Sequence, residues 1–584
     1  MTRFLAATAL SLALATPAWA GPQEDYEALR EDVWQNALDR SPSLATEIGD
    51  RRGDGKLFDY SEANYDAGLE QTRAFQARLR QIDPGQLPED LQVDYAIMQR
   101  NFSDTLAAAE HDQDRYMLFT NRYGPHSTLL SMAYSSPLFS KADYESYVGR
   151  IEAFPAVIDQ TIIRTRGALE RGLTHACAPM EGYSDRIDAS ITDAPEDAAV
   201  WSAFAAKPET ISDTDWTALQ DRARIAIAEQ AMPALRRFSE FYKAEYADEC
   251  RDGAPGIGSQ PGGMEYYEYL VRSYTTTDMT ADEVHQLGQS EVARIRAEMV
   301  DVARSAGFDS REDYIAHLRS DPQYYPKTPE ELMQHASALA KHIDGFMPKL
   351  FGNLPRLPYT VQPIPAATAP GNTTAYYEPG SLATGTPGIY RVNTTELDQR
   401  PFFEMPALGV HEAVPGHHLQ IAIQQELDIH PLRRHGTFFT AFVEGWGLYS
   451  ERLGIEMGLY DTPAKQMGRL SYEMWRATRL VVDTGLHAMG WSKQEAVDFM
   501  TDNTALSAGN IDAEVNRYIT NPGQALAYKL GELRIRELRA RAEEALGADF
   551  DLRAFHDTVL ENGAVPLDVL EQHVDRWIAA QQTA

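Results

Sequence analysis

The sequence predicts a mainly α fold, large and multi-helical, with one small β-sheet. Two textures carry that expectation. Across most of the chain apolar residues recur at three- and four-residue spacing with charges between them, as in LFDYSEANYDAGLEQTRAFQARLRQI and ESYVGRIEAFPAVIDQTIIRTRGALERG. Between about 355 and 400 the chain instead becomes rich in Pro, Gly, Thr and Tyr, with short alternating bursts at Tyr359-Thr360-Val361 and at Gly388–Asn393. These bursts predict a small sheet or hairpin, with turns at Pro379-Gly380 and Pro387-Gly388.

The elements follow in order. Residues 1–20 form a targeting segment: Arg3, an apolar run from Phe4 to about Ala15, and the small-x-small site Ala18-Trp19-Ala20. A cut after Ala20 is expected, giving a periplasmic or secreted protein; an uncleaved anchor is the alternative. Gly21, not Cys, stands directly after the cut, so lipid anchoring is not expected, and no later run is apolar and long enough to insert stably in a membrane. Residues 21–251 read as a helical N-terminal domain punctuated by Pro84, Pro88, Pro155 and Pro208. The Gly/Pro cluster from Asp252 to Gly263 marks the boundary. A second domain spans 264–584, its first long helix starting after Thr280, with Asp282 and Glu283 in the first turn, and stopping at Gly307. Helix resumes from about Pro406.

Composition excludes some functions. With 43% hydrophobic and 10% aromatic residues the chain has the material for a large core rather than disorder. A net charge of −33 argues against nucleic acid or an anionic membrane as partner, because both reward basic surfaces. The two cysteines, Cys177 and Cys250, lie in loop-like segments and are expected to pair in an exported protein, with two free thiols as the alternative. The GxSxG elbow and GxxxxGK phosphate loop are absent.

HEAVPGHH, His411–His418, opens like the HExxH helix of zinc peptidases, in which two histidines four residues apart share one ion. The fourth residue on is Pro415. In an ideal helix His417 would point about 120° away from His411, and His418 would lie about 10 Å along the axis. Pro415 removes an amide and Gly416 loosens the backbone. A bulge at Val414-Pro415 would return His417 to the second-ligand position; His418 is the alternative. A helix end with two exposed histidines and no chemistry is the bland reading. Downstream, TFFTAFVEGWGLYSERLGIEMG carries Glu444 and Glu451.

HEAVPGHH, EGWGLYSE and RYITNPGQALAYKLGE in this order, with SYTTTDMTADEVHQLG and AYYEPGSL…GIYRVN, resemble the bacterial domain-of-unknown-function 885 family, over most of the mature chain. That resemblance implies a metallopeptidase-like protein with a modified zinc helix. VEGWGLYSE is also similar to the second-helix segment of glu-zincin peptidases, which implies Glu444 as third zinc ligand beside His411 and His417. Glu451, two turns on, suits an acceptor orienting a ligand histidine. Glu412 would be general base and acid. Arg517-Tyr518 resembles the Arg-Tyr pair of angiotensin-converting-enzyme-like peptidases, implying Tyr518 as oxyanion donor, with Tyr528 in reserve. Arg517 and Lys529 are candidates for a substrate carboxylate. The strand around Tyr390 and Asn393 is a candidate edge for aligning an extended substrate.

The resulting expectation is an exported Zn²⁺-dependent hydrolase of small peptides, with a large multi-helix zinc-peptidase-like fold and a small sheet beside the active-site cleft. A zinc amidase acting on other amides and a non-catalytic exported binding protein are the alternatives.

Overall fold

The computed structural model describes residues 21–583 apart from 134–135, 366–368, 370–371 and 383–384. The export segment and its expected cut lie outside the described residues. The described chain is mainly helical with a three-stranded sheet.

The first half is a succession of helices, among them Glu62–Leu79, Glu89–Ala108 and Lys141–Glu170. Pro155 was expected to punctuate the region but sits inside the last of these. The helix survives because a full apolar face, including Ile151, Phe154 and Ile158, is buried on both sides of it. An apolar core runs from Phe119 to Tyr246. Helix Glu89–Ala108 also gives Val93 and Ile97 to the large core of the second half. Cys177 and Cys250 are disulfide-bonded, as expected. The Gly/Pro segment after Cys250 leads the chain across the end of a later helix, where the Ile257 amide donates to His487 Nδ1 at 2.9 Å.

Six helices of the second half matter below: α1 (Ala281–Ser305), α2 (Met405–Glu412), α3 (His417–Glu426), α4 (Thr440–Leu453), α5 (Pro463–Ala488) and α6 (Ala508–Thr520); α7 (Ala527–Leu546) packs along α4. Thr280 and Glu283 close the expected capping box on α1, and Gly307 takes a left-handed conformation beyond its end. α1 lies along α5, a helix buried over most of its length.

The sheet contains β1 (Tyr359–Pro363), β2 (Ala375–Glu378) and β3 (Gly388–Val392), in the order β1-β3-β2. β3 runs parallel to β1 and antiparallel to β2. The expected substrate-aligning edge at 388–393 is therefore corrected: β3 is the central strand and both its edges are used. β2 is the edge strand beside the cleft.

Candidate metal centre and cleft

Local structure around Pro415 decides the frame. The expected bulge does not form; the helix breaks. α2 stops at Glu412, a turn covers 413–416 with a cis Val414–Pro415 peptide, and α3 starts at His417. The Gly416 amide donates to Val410 O at 2.9 Å and Trp446 Nε1 donates to Pro415 O at 2.8 Å. A Cβ on Gly416 would stand 1.9 Å from His411 O, so only glycine lets the chain fold back this tightly. Starting a new helix there points His417 toward His411, their rings 4.7 Å apart at 88°.

α4 supplies the other half of the cluster. Glu444, Gly447 and Glu451 are spaced by three and four and so share a face. The His411 ring lies across that face: Nδ1 is 2.8 Å from Glu451 and Nε2 is 3.6 Å from Glu444. Gly447 makes the room, since a Cβ there would be 2.8 Å from His411 Cε1. His417 Nε2 is 3.4 Å from the same Glu444 oxygen. Glu451 is also ion-paired with Arg476 at 3.0 Å, an almost fully buried pair. Because Glu451 occupies Nδ1, the Nε2 atom of His411 is the one turned toward Glu444.

One ligand atom from each of His411, His417 and Glu444 lies within 4.8 Å of the other two. Two imidazoles and a carboxylate are a donor set that holds Zn²⁺ with a position left open. His417 Nδ1 is buried without a hydrogen-bond partner. The residues present therefore fit a divalent cation of the zinc type. Electrostatics agree: burial opposes ionisation of Glu444, yet His417 and His411 hold its carboxyl well below the ordinary range. Burial opposes protonation of His411, but Glu444 and Glu451 outweigh it and push it up to about 9. A cation bound there would compete with the proton for the same acidic pocket.

Glu412 stands beside this cluster, half-buried, with no hydrogen bond or ion pair among the described residues. Burial raises its pKa and Glu444 adds to the effect, while His411 and His417 oppose it. Such tuning suits a base. The four residues open into a cleft of about 320 Å³. Tyr528 of α7, Arg476 and Arg479 of α5, Arg517 of α6 and Thr373–Tyr377 leading into β2 line it.

A family profile described as "Bacterial protein of unknown function (DUF885)" matches residues 42–574. The chain belongs to DUF885. Among solved structures it is similar to a candidate lipoprotein from Colwellia psychrerythraea, at 26% identity and a TM-score of 0.89, over 96% of this chain and 100% of that one. A candidate lipoprotein of unknown function from Shewanella oneidensis shares the fold, at 20% identity and a TM-score of 0.69, over 95% and 99%. No curated protein matches the chain.

Several expected site residues of this DUF885 protein lie away from the cleft lining. His418 turns to the sheet, its Nε2 3.1 Å from Leu357 O and its Nδ1 3.0 Å from the Tyr377 hydroxyl. Successive helical residues diverge by about 100°, so His417 and His418 cannot both face His411. The same rule separates Tyr528 from Lys529. Lys529 is fully buried among Glu291, Glu473 and Glu532 at 2.9–3.0 Å, which leaves it no free hydrogen for a substrate. Tyr518 is buried outside the cleft lining; its hydroxyl donates to Glu514 at 2.9 Å and accepts from Arg479 Nε and Trp475 Nε1. Asn393 is buried and pins its own loop through Ala369, Asn372 and Thr373 carbonyls. Tyr390 is buried in the large core, close enough to Glu412 for that carboxylate to raise its pKa. Sequence reasoning missed Gly447, Arg476, Arg479, Glu514 and, from the first half, Arg122, which also lines the cleft. The RATR run at 476–479 inside a buried helix was the available signal.

Proposed function

We propose that this DUF885 protein is an exported, zinc-dependent hydrolase of amide bonds in small peptides. The observation that carries the reading is the convergence of His411, His417 and Glu444 beside an unengaged Glu412. When bound, Zn²⁺ lowers the pKa of a water and polarises a carbonyl. Glu412 takes the proton of the attacking water and delivers it to the leaving nitrogen as the carbon–nitrogen bond breaks, so that one water is consumed per bond. Tyr528 is the donor for oxyanion charge: burial and Glu444 raise its pKa, which keeps the phenol protonated at neutral pH. The edge strand β2 would align an extended chain beside it. Glu451 and Arg476 fix the His411 ring, a positioning role.

Export is supported by the segment at 1–20, by the disulfide, and by likeness to candidate lipoproteins. No helix among the described residues is long and apolar enough to cross a membrane.

Metal analysis of purified protein with His411→Ala and Glu412→Gln tests the reading. Stoichiometric zinc is expected in wild type and in Glu412→Gln, and loss of zinc in His411→Ala. Peptide hydrolysis by Glu412→Gln should fall by about 10²–10⁴-fold. Wild type without zinc, or full activity of Glu412→Gln, refutes it. A panel of peptides and acylated amino acids separates a peptidase from an amidase acting on other amides.

A further inference from the structure

One wall of the cleft is strongly cationic in a chain of net charge −33. Arg122, Arg479 and Arg517 all line it, and all three turn to a single carboxylate, Glu514. Arg517 reaches it at 2.8 Å, Arg479 at 3.2 Å and Arg122 at 3.7 Å. Burial opposes ionisation of Glu514, but Arg517 and Arg479 hold it well below the ordinary range. Glu514 is thus a carboxylate, and three guanidinium groups share one negative charge. The remaining cationic residue there, Arg476, is matched by Glu451.

The donors are not used up. Arg479 is 3% exposed, and its Nη1 is buried with no hydrogen-bond partner among the described residues. It is held between the rings of Trp475 and Tyr528, 4.6 and 4.3 Å from their centroids, so its plane is fixed. Arg122 is only half-buried, and among the described residues its guanidinium makes no hydrogen bond or ion pair shorter than 3.5 Å. A fixed, buried guanidinium with a spare donor beside a second, loosely held one is built to accept another planar anion.

We infer that this wall is a subsite for a free carboxylate, and that the substrates are short peptides held by their C-terminal α-carboxylate. The inference rests on the hydrolase reading above and adds end preference to it. Tyr528 relates the two halves of the cleft: it lines the space that His411 and Glu444 also line, and the Arg479 guanidinium lies 4.3 Å from its ring centroid. Anchor and metal-ligand candidates line one cleft of about 320 Å³, and an extended chain covers about 3.3–3.6 Å per residue, so the scissile bond falls one or two residues from the anchored end. The released product is then a C-terminal amino acid or dipeptide. Hydrolysis leaves a new carboxylate on the N-terminal fragment and an amine on the released one, with water as the only co-reactant.

Three probes test this with the zinc-loaded full chain: N-acetyl-tetra-alanine as free acid, the same peptide as C-terminal amide, and an amide ending in glutamate. Mass spectrometry identifies the products and initial rates give kcat/KM. Binding of each probe to zinc-loaded Glu412→Gln is measured by calorimetry, which needs no turnover. The acid should exceed the amide by about 30- to 100-fold in both measurements, with cleavage one or two residues from the C-terminus. Arg122→Gln, at a partly exposed position, should shrink that ratio at least about 5-fold with an unchanged melting temperature. Arg479→Lys should shrink it further. Equal use of acid and amide overturns the subsite while leaving the hydrolase reading intact. Full recovery by the glutamate-ended amide assigns the wall to side-chain carboxylates and also overturns the inference. Acid-selective binding with no cleavage of any probe sinks the hydrolase reading and keeps the carboxylate subsite.

Discussion

Gly447→Ala is the most informative single change. A methyl group there would sit 2.8 Å from His411 Cε1, 3.0 Å from Nε2 and 3.2 Å from Nδ1. Carbon contacts settle at about 3.5–4.0 Å, so the imidazole must retreat by about 0.7–1.2 Å. Its Nδ1 is held by Glu451 at 2.8 Å, and such a shift takes that bond to its limit. Metal–ligand distances tolerate only about ±0.2 Å. Zinc affinity should therefore fall by about 10–100-fold, the scale seen when a ligand's orienting contacts are disturbed. Stability should move little. Ala gains up to about 1 kcal/mol of helix propensity over Gly, against about 1–3 kcal/mol for overpacking. Competition against a chromophoric chelator gives the affinity and a thermal melt of the metal-free protein gives the stability. Gly409→Ala, in the helix that carries His411, is the control, because its methyl would meet Ile343 and Leu339 at an ordinary 3.7 Å. Wild-type zinc affinity in Gly447→Ala, or an equal loss in Gly409→Ala, refutes the reasoning.

Other outcomes follow from the same structure. Glu451→Gln should weaken zinc by about 10–100-fold while keeping a hydrogen bond to Arg476; unchanged affinity would mean that Glu451 does not orient His411. Burial pushes His175 and His487 down to about 4 and His556 to about 3 in the folded protein. The unfolded chain binds protons at these sites below about 6.5 and the folded chain does not, so stability is full above pH 6.5 and falls as pH drops. At pH 5 the loss is about 2 kcal/mol per histidine, seen as a falling melting temperature between pH 7 and 5; a flat profile counts against it. Replacing Cys177 and Cys250 by Ser together opens a loop of 73 residues and should cost about 2–4 kcal/mol in urea unfolding, with zinc content retained.

What the sequence made legible was local. Helix starts with caps, such as Thr280–Glu283, and the short strands at Tyr359 and Gly388 come from patterns that residues carry by themselves. Glu444 was legible through the resemblance of VEGWGLYSE to the second-helix segment of glu-zincin peptidases, and helical spacing then put Glu451 on the same face. What needed tertiary contacts was not. Pro415-Gly416 signals a disturbed helix, but break and bulge differ by contacts such as Trp446 to Pro415, made from another helix. β3 looked like an edge because β2, with only four residues, carries too little pattern to be read. Lys529 was indistinguishable from a cleft residue until α7 packed with Tyr528 toward the cleft and its neighbour toward Glu291 and Glu473. Arg122 and Arg479 are 357 positions apart, and nothing in sequence joins them.

The two walls of the cleft differ in how firmly they are held, and that difference bears on function. On the side of the candidate metal ligands His411 is fixed on three points, by Glu444, Gly447 and Glu451, all borne by one helix. Such a constellation keeps its geometry only if α4 stays rigid, which its buried face and its packing on α7 provide. On the other wall α5 and α6 supply Arg479 and Arg517, while Arg122 comes from an irregular segment of the first half, tied to α6 by the Asn121–Thr520 hydrogen bond. Loops positioned by a rigid scaffold commonly carry binding residues. Changes at Arg122 should therefore alter which chains are bound more than how fast a bound chain is cut. KM effects from that wall and kcat effects from the His411 side would separate the two roles, and equal effects on both constants from both sides would argue that the cleft acts as one unit.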